Sequence, residues 1–394
     1  MTGIRHAPSI RSAVAAVVGA LLALGFVHDA GGEVGPAFSV PTPLLEAALD
    51  CPDEFVNAGE RDPVLLVHGL STTAAEQWSW NYALALPERG YDVCLVTLPD
   101  RGFGDQQVSA EYVAHAVLAM QQRTGRHVDL VGHSLGGSMS RWAVRFWPGV
   151  RDAIDDFVAL GAPHHGTGPF RGEADLPPDL PDEMPAVIWQ FLPESQFVTT
   201  LDAGDQTPGE VDWTNLYSSD DQSVSPNELS MLDVGLGNPR VANILLQDVC
   251  PGREVSHLSL GTADSLVLAL VLDALDNDGV ADPARLDVAA ECARTEPFAN
   301  PVAELGQLLS AVLDDVRDGQ IRPDTHRRAD EPPLAAYVTG DGPMIGADDH
   351  DVAAEGAAVT GDVPADDTSR AITVGLALAV LGLTVLEHRR MRRG

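Results

Sequence analysis

Six residues, Gly132-His133-Ser134-Leu135-Gly136-Gly137, constrain this chain more than any other stretch. A short β-branched run, His127-Val-Asp-Leu-Val131, precedes them, and an amphipathic run, Ser138–Phe146, follows. Strand, Gly-x-Ser-x-Gly, helix is the context of a nucleophile elbow. The serine of such an elbow sits on a tight, strained turn, so the residues two before and two after it must be small. The turn lifts the hydroxyl clear of the sheet. The helix behind it aims its N-terminal amides at the place where an oxyanion would form.

A second segment supports the same site. Pro63-Val-Leu-Leu-Val-His68-Gly69 is a buried-strand run that ends in His-Gly. In hydrolases built on a parallel sheet, the loop after an early strand donates one oxyanion-hole amide. The backbone N–H groups of Leu70 and Leu135 are therefore the candidate oxyanion donors. His68 reads as a residue that positions the loop.

The flanking pattern fixes the fold class. From Pro41 to Ala162, short apolar runs alternate with helical stretches. Val64–Val67, Val93–Thr97, Val128–Val131 and Phe157–Leu160 read as strands, and Tyr112–Gln121 and Ser138–Phe146 as helices between them. Such alternation predicts an α/β protein with a mainly parallel central sheet and helices on both faces. Trp213–Tyr217 and Val241–Val249 continue the strands, and Ala263–Leu275 and Val302–Val316 the helices. Between them, residues 166–210 break the alternation. This stretch is rich in Pro, Asp and Gly but carries Ile188, Trp189, Phe191, Leu192, Phe197 and Val198, so it is a candidate for shaping a substrate entrance. Asp276-Asn-Asp-Gly279 lacks the upstream acid and downstream glutamate of a calcium loop and reads as a helix-ending turn.

The ends of the chain have a different character. Arg5 and Arg11 followed by apolar Ser12–Val27 read residues 1–30 as an export signal. Residues 339–370 form an acidic, Gly- and Ala-rich linker with few bulky side chains. Ala371–Leu386 carries no charge and is followed by Arg389, Arg390, Arg392 and Arg393. As a helix it would reach about 24 Å, and snorkelling arginines would cover the rest of a membrane core. The expected organisation is thus a signal, a catalytic domain over 41–338, a linker, and a C-terminal membrane anchor over 371–394. A basic tail stays cytoplasmic, so the catalytic domain is expected outside the cell membrane and tethered to it.

Composition narrows the partners. The formal net charge of −34 repels phosphate backbones, which excludes nucleic acid as a partner. Four cysteines in an exported chain suggest two disulfides, and local separation favours Cys51–Cys94 and Cys250–Cys292. Their spacing does not suggest a metal, and no organic cofactor is implied.

A serine nucleophile needs a base, and the base needs an acid to orient it. The expected order on this fold is serine, acid, histidine. Tyr217-Ser-Ser-Asp220-Asp221 follows a strand and offers two adjacent acids between which spacing does not choose. His257, His326, His350 and His388 follow the acids, and His257 alone stands after a strand and turn and before an apolar helix. His257 is the candidate base.

At this point a resemblance becomes specific. The chain resembles the Candida antarctica lipase B family of α/β-hydrolases and its bacterial relatives, and more distantly the class 2 bacterial lipases. The segments that carry it are Pro63–Gly69 with Ser71-Thr-Thr73, Gly90-Tyr91 with Cys94, and the elbow. Beyond these come Phe146-Trp-Pro148, Gly161-Ala-Pro163, Thr214–Ser218 with Asp221 and Pro226, and Asp248-Val-Cys250 ahead of His257. Cys292, and Glu331-Pro332 with Leu334 and Tyr337, complete the match over roughly Pro41–Val338. The resemblance implies an α/β-hydrolase fold and a Ser134, Asp221, His257 triad, choosing Asp221 over Asp220. It supports both disulfide pairings and places Val302–Val316 beside the pocket mouth. It implies a lipase or esterase acting through an acyl-enzyme on carboxylic esters, acylglycerols above all. Transfer of the acyl group to an envelope alcohol would use the same residues. Three positions depart from the family. Leu70 stands where the family has an oxyanion-binding threonine, leaving its amide and raising Ser71 as a substitute donor. Leu135 replaces a glutamine, and His133 a tryptophan.

Overall fold

The computed structural model describes residues 33–57, 61–167, 183–233, 237–299, 326–340 and 344–346. Seven strands form its central sheet: β1 (Leu49–Asp50), β2 (Val64–Val67), β3 (Val93–Val96), β4 (Val128–His133), β5 (Ile154–Leu160), β6 (Asp212–Tyr217) and β7 (Val241–Leu245). Their spatial order is β1-β3-β2-β4-β5-β6-β7. Only β1 runs antiparallel, against β3. The fold is that of an α/β hydrolase.

Six helices matter below: α1 (Ala74–Trp78), α2 (Gln106–Thr124), α3 (Leu135–Phe146), α4 (Gln196–Asp202), α5 (His257–Thr262) and α6 (Ser265–Asp276). The alternation of side chains along a strand explains why the central strands read as unbroken apolar runs. Leu65 and Val67 of β2 join a core with Val113 and Val117 of α2 and Met139 and Trp142 of α3. Val64 and Leu66 point the other way, into a second core with Trp78 of α1 and Leu266 and Leu270 of α6. Both faces of β2 are therefore buried, and each Leu or Val contributes about 1.5–3 kcal/mol by leaving water.

Helix starts follow local chemistry. Thr73 and Glu76 form a reciprocal capping box at α1. Asp264 accepts the Leu266 and Val267 N–H groups at the start of α6. Strand β7 ends at Leu245, four residues before the expected limit, because the chain turns into a short helix, Leu246–Val249.

Two disulfides join Cys51 to Cys94 and Cys250 to Cys292, the pairings expected from the sequence. The first ties the edge segment after β1 to β3. The second ties the loop ahead of α5 to the short helix Val288–Ala293.

The described part of 166–210 differs from the expectation of a pocket entrance. Phe197 stacks on Trp142 with ring centroids 4.3 Å apart, and Leu192 and Val198 are buried with it. These residues extend the core instead of lining an opening. Glu331 accepts the N–H groups of Gln196 and Phe197 at 2.7 and 2.8 Å, and Tyr337 accepts the Trp142 indole N–H at 2.9 Å. The late segment noted in the sequence thus fastens α4 and α3. Two small antiparallel pairings complete the architecture: Met184–Pro185 with Arg327–Arg328, and Glu33–Pro36 with Met344–Gly346.

Among the described residues no helix is long and apolar enough to cross a membrane. Residues 1–30, Val302–Val316 and 371–394, expected as signal, helix and anchor, lie outside the described residues, as do His350, His388 and nearly all of the expected linker.

Candidate active site

The elbow is formed by β4, Ser134 and α3. Ser134 has φ 55° and ψ −125°, a strained conformation for a residue with a Cβ. Its N–H is fixed by the Leu160 carbonyl of β5 at 2.9 Å. The glycine spacing has a direct steric cause. A Cβ on Gly136 would stand 2.4 Å from the Val67 carbonyl oxygen and 2.7 Å from that of His68. Only glycine lets α3 start this close to the end of β2.

The base and the acid meet beside the turn. His257 opens α5, and its Nδ1 lies 2.7 Å from Asp221 Oδ2. Asp221 Oδ1 accepts the N–H groups of Ser223 and Val224 at 2.8 and 2.9 Å. Burial raises this carboxyl, but the His257 charge and hydrogen bond, with the two amides, outweigh it and leave it below the ordinary aspartate range. An ionised Asp221 accepts from Nδ1–H and so directs the free lone pair of His257 to Nε2. That Nε2 is buried and has no hydrogen-bond partner among the described residues. Gly161, at φ +57°, lies beneath the pair; a Cβ there would come 3.1 Å from Asp221 Oδ2 and 3.3 Å from His257 Nδ1. Asp220 faces elsewhere, accepting the Val255 N–H and the Gln247 amide. His326 pairs with Asp100 at 2.6 Å, away from the pocket.

Ser134 and His257 line one pocket with Gly69, Leu70, Thr72, Gln77, Trp80, His133, Leu258 and Thr262. Among the described residues, the N–H groups of Leu70 and Leu135 have no intramolecular acceptor, as two oxyanion donors require. The neighbouring amides are occupied: Gly69 N–H donates to Gln77 Oε1 at 2.8 Å, and Ser71 N–H to the Arg101 carbonyl at 2.8 Å. Arg101 in turn bonds the Ser71 carbonyl and the Glu76 carboxylate. Ser71 is not among the residues lining the pocket, and its buried hydroxyl has no hydrogen-bond partner among the described residues.

His68 positions the loop, as its place in the sequence suggested. Its Nε2 accepts the Leu98 N–H at 2.9 Å, which leaves Nδ1–H to donate to the Gly69 carbonyl at 2.7 Å. Burial lowers its pKa to about 4, so it is neutral. His133 is also neutral, lowered to about 3 by burial and then by its neighbour His257; its Nε2 lies 3.1 Å from the His257 carbonyl.

Gln77 and Trp80 were not found from the sequence. The signal for Gln77 was the capping box one turn earlier, which starts α1 immediately after the oxyanion loop and turns Gln77 back toward it.

The strained serine over a mainly parallel sheet, beside a carboxylate-held histidine, is the arrangement of the α/β-hydrolase fold. The α/β hydrolase fold family matches residues 62–238. More particularly, the chain resembles lipase B enzymes. It is 30% identical to Lipase B of Pseudozyma antarctica over 195 residues, which are 48% of this chain and 54% of that protein. The chain thus spans about half the length of that relative. The crystal structure of Aspergillus fumigatus lipase B superposes with a TM-score of 0.68 at 28% identity, covering 79% of this chain and 75% of that one.

Proposed function

We propose that this chain is a carboxylic ester hydrolase of the lipase type. One observation carries the reading: the bond of Asp221 to His257 Nδ1 leaves Nε2 free in the pocket that also holds the strained Ser134. In the proposed reaction, His257 Nε2 takes the proton from Ser134 Oγ, and Oγ adds to the ester carbonyl carbon. The oxyanion accepts hydrogen bonds from the Leu70 and Leu135 amides. His257 passes its proton to the alcohol oxygen as the C–O bond breaks. Water, deprotonated by the same nitrogen, then releases the acid and restores Ser134. The likeness to lipase B points to acylglycerols as the substrate class.

The enzyme is further proposed to work outside the cell membrane. Two disulfides suit an oxidising compartment. The sequence of residues 1–30 and 371–394 supplies the reasons for export and for tethering.

The test is direct. A fluorophosphonate should label wild-type protein at Ser134 and leave Ser134→Ala unlabelled. The same variant should lose on the order of 10⁴-fold in kcat on p-nitrophenyl esters. More than a tenth of wild-type activity in this variant would overturn the assignment.

A further inference from the structure

At the opposite end of β4 and β5 from Ser134, three aspartates converge. The ladder between these strands shifts register between Val128 and Leu130: Val128 pairs with Ile154, but Leu130 pairs with Phe157. Asp129 therefore faces two residues, Asp155 and Asp156, where a regular ladder would offer one. One carboxylate oxygen from each of the three lies within 4.8 Å of the others.

No basic side chain forms an ion pair with this trio among the described residues, although a His127 ring nitrogen lies within 4.8 Å of an Asp155 carboxylate oxygen. Arg126 bonds Asp62 at 2.7 Å, Arg240 bonds Asp212 at 3.1 Å and Arg285 bonds Asp273 at 2.6 Å, so these guanidiniums serve flanking acids. Among the described residues Asp129, Asp155 and Asp156 form no ion pair. Asp129 and Asp156 are only 3% and 6% exposed. The Asp156 side chain makes no hydrogen bond, and its buried Oδ1 is without a partner. A buried carboxylate in that state is costly unless something binds it.

We propose that Asp129, Asp155 and Asp156 bind a hard divalent cation, Ca²⁺. Calcium takes flexible all-oxygen shells at about 2.4 Å, which suits three carboxylates gathered on an irregular ladder, whereas Mg²⁺ demands a tighter octahedron. Exposed Asp155 gives the ion its entry and leaves room for water to complete the shell. The site binds β4 to β5 at the N-terminal ends of these central strands and takes no part in the ester chemistry.

The experiment uses the full chain, freed of metal with a chelator. About 5 mM Ca²⁺ should raise the melting temperature by about 3 °C, and Mg²⁺ by less. Calorimetric titration with Ca²⁺ should show a site of about 10⁻⁴–10⁻³ M affinity, as extracellular calcium modules have. Asp156→Asn should abolish both responses while leaving ester hydrolysis unchanged. Exposed Asp155→Asn should weaken them and serves if the buried variant does not fold. No Ca²⁺ response in the wild type, or an undiminished one in both variants, overturns the proposal. A response to Zn²⁺ with none to Ca²⁺ does so as well.

Discussion

Asp220 and Asp221 are neighbours with opposite surroundings, and a substitution separates them. Asp221 has both oxygens engaged, one by His257 and one by two amides. Asp221→Asn puts an amide against Nδ1, which neither selects the useful tautomer nor steadies an imidazolium. The expected loss in kcat is on the order of 10³–10⁴-fold. Asp220→Asn should stay close to wild type, and steady-state kinetics on one ester would expose a reversed ranking. His68 gives a second residue-level expectation. Its folded pKa of about 4 lies below the ordinary 6.5, so the unfolded chain takes up the proton first as pH falls. The resulting stability is fully present above about pH 6.5 and is lost as pH falls toward about 4. Relative to His68→Gln, the wild type should lose about 1.4 kcal/mol per pH unit in that window. Denaturant melts of both proteins across it measure the difference, and parallel curves would contradict a neutral His68.

The elements show what a sequence can disclose. Strands β2 to β6 and helices α2, α3 and α6 were legible because burial on both faces, or on one stripe, writes a period into the residues. Their ends were not, because capping decides them: α2 begins at Gln106 behind Asp105, six residues before the apolar pattern starts. Ser134 and His257 were legible as candidates because each has a flanking context that the proposed chemistry demands. The choice of Asp221 was not legible from spacing, since it depends on the turn Ser218–Val224 and needed the family resemblance. The aspartate trio was invisible, because a register shift between separate strands brings it together. The role of Phe197 was misjudged since an apolar side chain reads alike in a core and at a pocket mouth. The disulfide of Cys250 and Cys292 gives the prediction at this scale. It closes a loop of 42 residues that includes His257. Replacing both cysteines with serine should cost about 4 kcal/mol in the chain-entropy model. A melting curve should register that loss while activity per folded molecule persists. Peptide mapping before and after reduction should recover the two linkages without crossing.

For the whole molecule, the proposed tether makes a prediction in fractionation. The full chain should sediment with membranes, and truncation after about Thr368 should release active, soluble enzyme, because a lost apolar segment of this length removes most of the burial that holds it. Full-length protein found wholly in the supernatant would rule out the anchor. The small pairing of Glu33–Pro36 with Met344–Gly346 bears on how such an enzyme would meet its substrate. The Trp147 indole donates to the Pro36 carbonyl at 3.0 Å, just past the end of α3. Ser134 stands at the other end of that helix, about 18 Å away along its axis. Both flanks of the described structure therefore depart from the pole opposite the catalytic mouth. An anchor joined at that pole would leave the catalytic mouth unobstructed, whichever way a linker lets the domain turn.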